Sequence, residues 1–247
     1  MEIDQPENFE PWFPGWDQPD EGGANDNGRC AWSESPWEWK GARRVASLDE
    51  LIQAAPWTEH PLCFAAANLD FEKAVRDLQS AFRAAGFEGC AFRNDSHENG
   101  EGQFHVDGVT WASPPACAVE YFPAAGDGAF GPQFLSAFEV MAQLDSQWLA
   151  ALEHGVFRFK GGPGEPQWRG PLLSRNVWGK WIFRWRDDVE AVNGENAWGA
   201  VERVRALIAG LSFMRFRPLE GDFTVWPNWT WMHRHPQGAS SWRAWIG

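Results

Sequence analysis

The sequence predicts a mainly β domain with peripheral helices, of jelly-roll or mixed α+β type. Three observations carry that expectation. Most patterned segments are short, rich in Val, Phe and Trp, and bounded by Gly, Pro, Asn or Asp, as strands are. Helical periodicity appears in only a few separated stretches. No run of about 18 apolar residues occurs, so the 44% apolar content serves a globular interior rather than a membrane span.

The elements follow in chain order. Residues 1–40 are rich in Pro, Gly and Trp without a period and read as irregular; 1–45 is taken as an acidic irregular arm and 46–247 as a single domain. Ser47-Leu48-Asp49-Glu50 has capping-box spacing and opens a short helix to about Ala55. Asp70 caps a second helix, with Phe71, Ala74, Val75, Leu78, Phe82 and Ala85 on one stripe and Gly86 closing it. FEGCAFR (87–93) reads as a strand, 94–102 as a polar loop, and QFHVDGVTW (103–111) and ACAVEYF (116–122) as strands separated by Ser113-Pro114-Pro115. GDGAFGP (126–132) is a glycine loop. Pro132 opens a helical stretch to about His154, broken at Asp145-Ser146 and ended by Gly155. VFRFK (156–160) and VWGKWIFRW (177–185) read as strands. Asn196 caps a helix that buries Trp198, Val201, Val204, Leu207 and Ile208 and stops at Gly210. LSFMRFRP (211–218), DFTVW (222–226), NWTWM (228–232) and SSWRAWI (240–246) make a strand-rich end.

Charge and composition exclude several function classes. Of the formal net charge of −13, residues 1–39 carry −9, from ten acids against Arg29 alone. No basic patch with interleaved aromatics exists, so nucleic acid is not an expected partner. The acidic stretch reads as a solvated arm, with a protein partner as the sharper alternative. It begins MEIDQPENFE, with no apolar core of a signal peptide, and the expected location is the cytoplasm. Cys30, Cys63, Cys90 and Cys117 lie too far apart for a close-spaced zinc site and are expected reduced and mostly packed. Eighteen tryptophans against one tyrosine is unusual, and most follow no helical spacing.

One short stretch points to chemistry. In EGQFHVDG (101–108), His105 and Asp107 stand two apart, which on a strand directs an imidazole and a carboxylate to one face. Two histidines and one carboxylate on one face of a metal form the non-haem iron(II) site, which leaves other coordination positions open. The third ligand belongs on a later strand returning beside the first. His233 follows a strand and turn 128 residues on, and Arg243 lies ten residues beyond it. A guanidinium there suits the distal carboxylate of a 2-oxo acid.

With those residues in place, 70–247 resembles the iron(II)/2-oxoglutarate oxygenases, in particular the taurine dioxygenase and carbapenem synthase branch. The shared layout is a helix and strand, QFHVDG, a strand and glycine loop, a helical insert, further strands, a late helix, Gly221-Asp222 with an apolar strand, an Asn-containing turn, a His and an Arg. The resemblance implies a double-stranded β-helix (jelly roll), iron(II) on His105, Asp107 and His233, 2-oxoglutarate anchored by Arg243, and oxidation of a small polar substrate. Two departures stand out. The family's Asp-Asn pair before the distal His is here Pro227-Asn228. Its Gly-Gly-x-Thr loop is here GDGAFG (126–131), with Ala129 near the Thr.

Rival readings accompany each residue. His235 competes with His233, since both flank Arg234. Trp111 and Trp231 are either pocket walls or core. A second functional reading is a non-enzymatic, acidic, Trp-rich binding protein of immunity type. A third is a zinc hydrolase on His97, His105 and Asp107, which lacks a helical general-base glutamate.

Overall fold

In the computed structural model, two helices start at the residues whose side chains suit a cap. The structure describes residues 43–65, 69–87, 91–94, 102–123, 131–160, 167–216, 219–235 and 241–246, all within one unit that spans 35–247. After the short strand β1 (Arg43–Arg44), the Ser47 hydroxyl accepts from the Glu50 amide, and Glu50 reaches back to the Ala46 amide at 3.0 Å, opening helix α1 (Leu48–Ala54). Strand β2 (Leu62–Ala65) follows. Asp70 then caps α2 (Phe71–Ala84) through the Lys73 amide, and Gly86 leaves the helix at φ 90°.

The remaining elements are β3 (Ala91–Asn94), β4 (Cys117–Phe122), β5 (Gln133–Ser136), α3 (Ala137–Met141), α4 (Ser146–His154), β6 (Phe157–Phe159), β7 (Arg169–Gly170), β8 (Leu173–Arg175) and β9 (Trp181–Phe183). After them come β10 (Val189–Ala191), α5 (Glu195–Gly210), β11 (Met214–Arg215), β12 (Asp222–Pro227), β13 (Trp231–Arg234) and β14 (Trp242–Ile246). The expected mixture of many short strands and a few helices is therefore present, with mostly antiparallel pairing.

Six strands form the major sheet in the order β1-β2-β12-β4-β14-β3, antiparallel except where β1 meets β2. A three-stranded sheet, β11-β5-β13, is the second layer, and β10-β6-β7 and β8-β9 are smaller sheets. Strand period 2 sorts the major sheet into two faces. On β4, Val119 and Tyr121 meet α1 and α2 through Leu51, Phe71, Leu78 and Phe82. Each fully buried Leu or Phe there contributes about 1.5–3 kcal/mol. The alternate residues, Ala118 and Phe122, join Cys63, Phe134, Phe216, Trp226 and Trp231 in an interior layer. A third cluster packs α3, α4 and α5 on β6, β8, β9 and the 104–109 segment.

Several expectations need correction. Residues 133–136 are strand β5, not the start of a helix, because the segment is hydrogen-bonded on both sides, to β11 and β13. The helices begin only after Ser136 and Asp145 provide caps. Residues 103–111 are not a strand: a single bridge joins His105 to His233, and a turn occupies 107–110. The backbone of this segment is taken up by side chains instead. Arg184 donates to the carbonyls of Val109, Trp111 and Ala112. The strand expected over 177–185 is the hairpin β8-β9 with its turn at Asn176–Gly179, and the one expected over 228–232 starts at Trp231 after a turn. Helix α5 begins at Glu195 behind Gly194, without the side-chain cap expected from Asn196. Cys63 and Cys117 are free and buried, and burial pushes the Cys63 thiol up to about 12. Cys30, Cys90, His97 and the 126–130 loop lie outside the described residues.

Candidate metal centre

The His105–His233 bridge joins two parts of the chain that are far apart in sequence. Each residue's amide donates to the other's carbonyl at 2.9 Å, so the two imidazoles lie side by side, with ring centroids 4.4 Å apart. Asp107 sits at the turn that follows, facing both. Its Oδ1 is 3.6 Å from His105 Nε2 and its Oδ2 is 3.4 Å from His233 Nε2. One donor atom from each of the three lies within 4.8 Å of the others. Two ligands about 2.1 Å from one ion and at right angles stand about 3 Å apart, so a small contraction brings all three onto one metal.

The ring nitrogens are oriented for that task. His105 Nδ1 donates to the Gln103 carbonyl at 3.1 Å, which leaves Nε2 as a lone pair facing Asp107. His233 is 1% exposed, and its Nδ1 has no partner among the described residues. Burial, then the neighbouring His105 and Arg243, push the His233 pKa down to about 3 against the pull of Asp107, so the ring is neutral. Burial disfavours the Asp107 anion, whereas the Trp245 indole, which donates from Nε1 to Oδ2 at 2.6 Å, and the charged form of the facing imidazoles favour it, and the net effect lowers the carboxyl pKa. Two neutral imidazoles and one carboxylate are the donor set that a divalent, oxygen-activating ion takes, and the residues present fit it.

Asn228 holds the carboxylate's backbone. Its Oδ1 accepts from the Asp107 amide at 2.9 Å, and its Nδ2 donates to the Asp107 and Pro115 carbonyls, both at 3.0 Å. Gly108, at φ 66°, makes the turn that follows, with the Trp111 ring and Pro115 lying where a Cβ would go.

The sequence candidates distribute as follows. His105, Asp107 and His233 converge. His235 lies two residues on, buried, with its ring 5.1 Å from that of His233, and it is not one of the three. Arg243 lies on β14 two residues from Trp245, on the same face, and its Nε donates to Glu120 Oε1 at 3.1 Å. Trp231 shares the face of β13 with His233, and its indole donates to the Glu59 carbonyl at 2.7 Å. Trp111 is half-buried and packs over the Gly108 turn that follows Asp107.

Sequence reasoning missed Glu120, Ser241, Trp245 and the part played by Asn228. Glu120 carried a signal, an acid in the middle of the apolar strand ACAVEYF. Asn228 was marked only as part of the turn before the distal His, and Ser241 and Trp245 carried no signal, because their partners lie more than 110 residues away.

No family model matches this sequence, and no curated protein matches it. The fold does have relatives among solved structures. AAD-2, in complex with Mn(II) and N-oxalylglycine, matches with a TM-score of 0.62 at 15% identity, covering 84% of this chain and 94% of its own. Asparagine oxygenase, with Fe(II), 3-hydroxyasparagine and succinate, matches with a TM-score of 0.56 at 15% identity over 81% of this chain and 77% of that one. PvcB, an Fe, α-ketoglutarate-dependent oxygenase from an isonitrile synthetic pathway, gives 0.57 at 16% identity over 81% and 79%. At these identities the likeness is one of fold.

Proposed function

We propose that this chain is a non-haem iron(II)/2-oxoglutarate-dependent dioxygenase of the taurine dioxygenase and carbapenem synthase-like branch. It acts on a small polar molecule such as an amino acid or natural-product intermediate. The observation that carries the reading is the convergence of His105, Asp107 and His233 on one point inside a fold shared with such oxygenases. An acidic binding protein has no need of three convergent metal donors. The two facing sheets are the walls of a jelly roll that closes within 46–247, to which β1 (Arg43–Arg44) adds an edge strand from the end of the acidic 1–45 stretch; that stretch is a solvated arm open to a protein partner, and the proposed location is the cytoplasm.

His105 Nε2, an Asp107 oxygen and His233 Nε2 would hold the metal on one face. Iron(II) bound there supplies Lewis acidity and one-electron chemistry toward oxygen. The chain's own residues do the rest. The Gln103 carbonyl fixes the His105 tautomer, and Trp245 and Asn228 fix Asp107. Trp226, its ring 5.1 Å from that of His233, and Phe134 keep water from the interior side. Arg243 anchors the distal carboxylate of 2-oxoglutarate, and Trp231 and Trp111 flank the pocket. Among the relatives, asparagine oxygenase holds 3-hydroxyasparagine and PvcB belongs to an isonitrile synthetic pathway, which supports a small polar substrate.

Anaerobic titration with iron(II) and 2-oxoglutarate tests the proposal. A visible metal-to-ligand charge-transfer band in the wild type, absent from Asp107→Ala, is the expected result. Iron binding that ignores both 2-oxoglutarate and Asp107 would overturn it.

A further inference from the structure

A carboxylate lies buried on the interior face of the major sheet, beside the proposed cosubstrate anchor. Glu120, at the centre of β4, is 0% exposed. Its register partners are Arg243 on β14 and Thr224 on β12. Oε1 accepts from Arg243 Nε at 3.1 Å and from the Ser241 hydroxyl, and His235 Nδ1 lies 3.7 Å away. The contact uses only the Nε corner of the guanidinium. Among the described residues nothing takes Nη1 or Nη2 of Arg243, and this side chain is 25% exposed while its partner carboxylate is sealed.

That asymmetry has a chemical meaning. A guanidinium has two edges that fit a carboxylate, and a free arginine on a long side chain samples many orientations. Here one corner is tied to a buried carboxyl oxygen in a rigid strand. The planar group is fixed, and the Nη1–Nη2 edge stays free. The ligand that fits a free, pre-oriented guanidinium edge is a carboxylate. Glu120 also stands apart from the three metal donors, so its removal leaves the metal ligands in place.

We infer that Glu120 is a positioning residue: it holds Arg243 so that the Nη edge receives the distal carboxylate of a dicarboxylic 2-oxo acid. The inference rests on the proposed oxygenase reading. Glu120 touches neither metal nor cosubstrate and acts through Arg243. Its loss therefore weakens 2-oxo acids that carry a second carboxylate and leaves unchanged those that lack one.

The test uses the full chain loaded anaerobically with iron(II), in wild-type, Glu120→Gln and Glu120→Ala forms, each titrated with 2-oxoglutarate and with pyruvate. Folding is checked by thermal melts, and the iron(II) Kd is measured separately. The expected results are a 2-oxoglutarate Kd raised at least tenfold in Glu120→Ala and about threefold in Glu120→Gln, whose amide oxygen still accepts from Nε. Pyruvate and iron(II) Kd values stay within twofold. If Glu120→Ala does not fold, the Gln variant decides. An unchanged or tighter 2-oxoglutarate Kd overturns the inference and leaves the oxygenase reading standing, because pyruvate still gives the band. No band with either 2-oxo acid in any form overturns the oxygenase reading, and the inference with it.

Discussion

Asn228→Ala removes the clamp on Asp107 without touching a metal donor. Asn228 is 0% exposed and makes three side-chain hydrogen bonds, to the Asp107 amide, the Asp107 carbonyl and the Pro115 carbonyl. Truncation leaves those backbone groups without their partner, at about 1–3 kcal/mol for each group that water cannot reach. Asp107 is partly accessible, with its side chain 17% exposed, so water re-solvates some of the loss. The net cost is then about 3–5 kcal/mol, and Tm falls by about 10–15 °C for a domain of this size. The 107–110 turn also loses its tether, and supporting partners of metal ligands are worth about 10–100-fold in affinity. Differential scanning calorimetry and a Mn(II) titration of the same preparations measure both effects. A Tm loss below about 3 °C together with unchanged metal affinity would show that the clamp neither stabilises the turn nor orients the carboxylate.

Two further predictions concern the same interior. Gly108→Ala puts a Cβ 2.7 Å from Pro115 Cδ at a residue with φ 66°, so stability falls by about 2–4 kcal/mol in urea unfolding and metal affinity falls with it. Asp222, fully buried on β12, has its carboxyl raised from 3.8 to about 6, chiefly by burial. A raised acid adds stability below its unfolded pKa and loses it as pH rises through the folded value. Melts of wild type and Asp222→Asn from pH 4 to 7.5 therefore diverge in favour of the variant, by up to about 3 kcal/mol; parallel curves would contradict the assignment.

The parts of the fold that depend on local chemistry were legible. Ser47 and Asp70 cap the helices they were expected to cap, and the stripe from Phe71 to Phe82 is the buried face of α2. Residues 133–136, QFLS, form a strand where a helix is expected because their apolar positions suit either; pairing with β11 and β13 on either side decides for β5, and the helix begins at Ala137. His105 and Asp107 do face one point, but not through strand alternation. A bridge places the first and a glycine turn places the second. The family resemblance favours His233 over His235, and the bridge register sets His233 beside His105. Arg184 and Trp245 act on backbone or side chains far along the chain and nothing local marks them, while Asn228 is marked only by its place in the turn before His233.

The central claim is that one metal ion sits between His105, Asp107 and His233. Anomalous diffraction at the iron edge from crystals grown anaerobically with iron(II) tests it most directly. The expected result is a single strong peak about 2.0–2.2 Å from a His105 nitrogen, an Asp107 oxygen and a His233 nitrogen. A peak at His235 and Glu120 instead, or none at saturating iron, would contradict it.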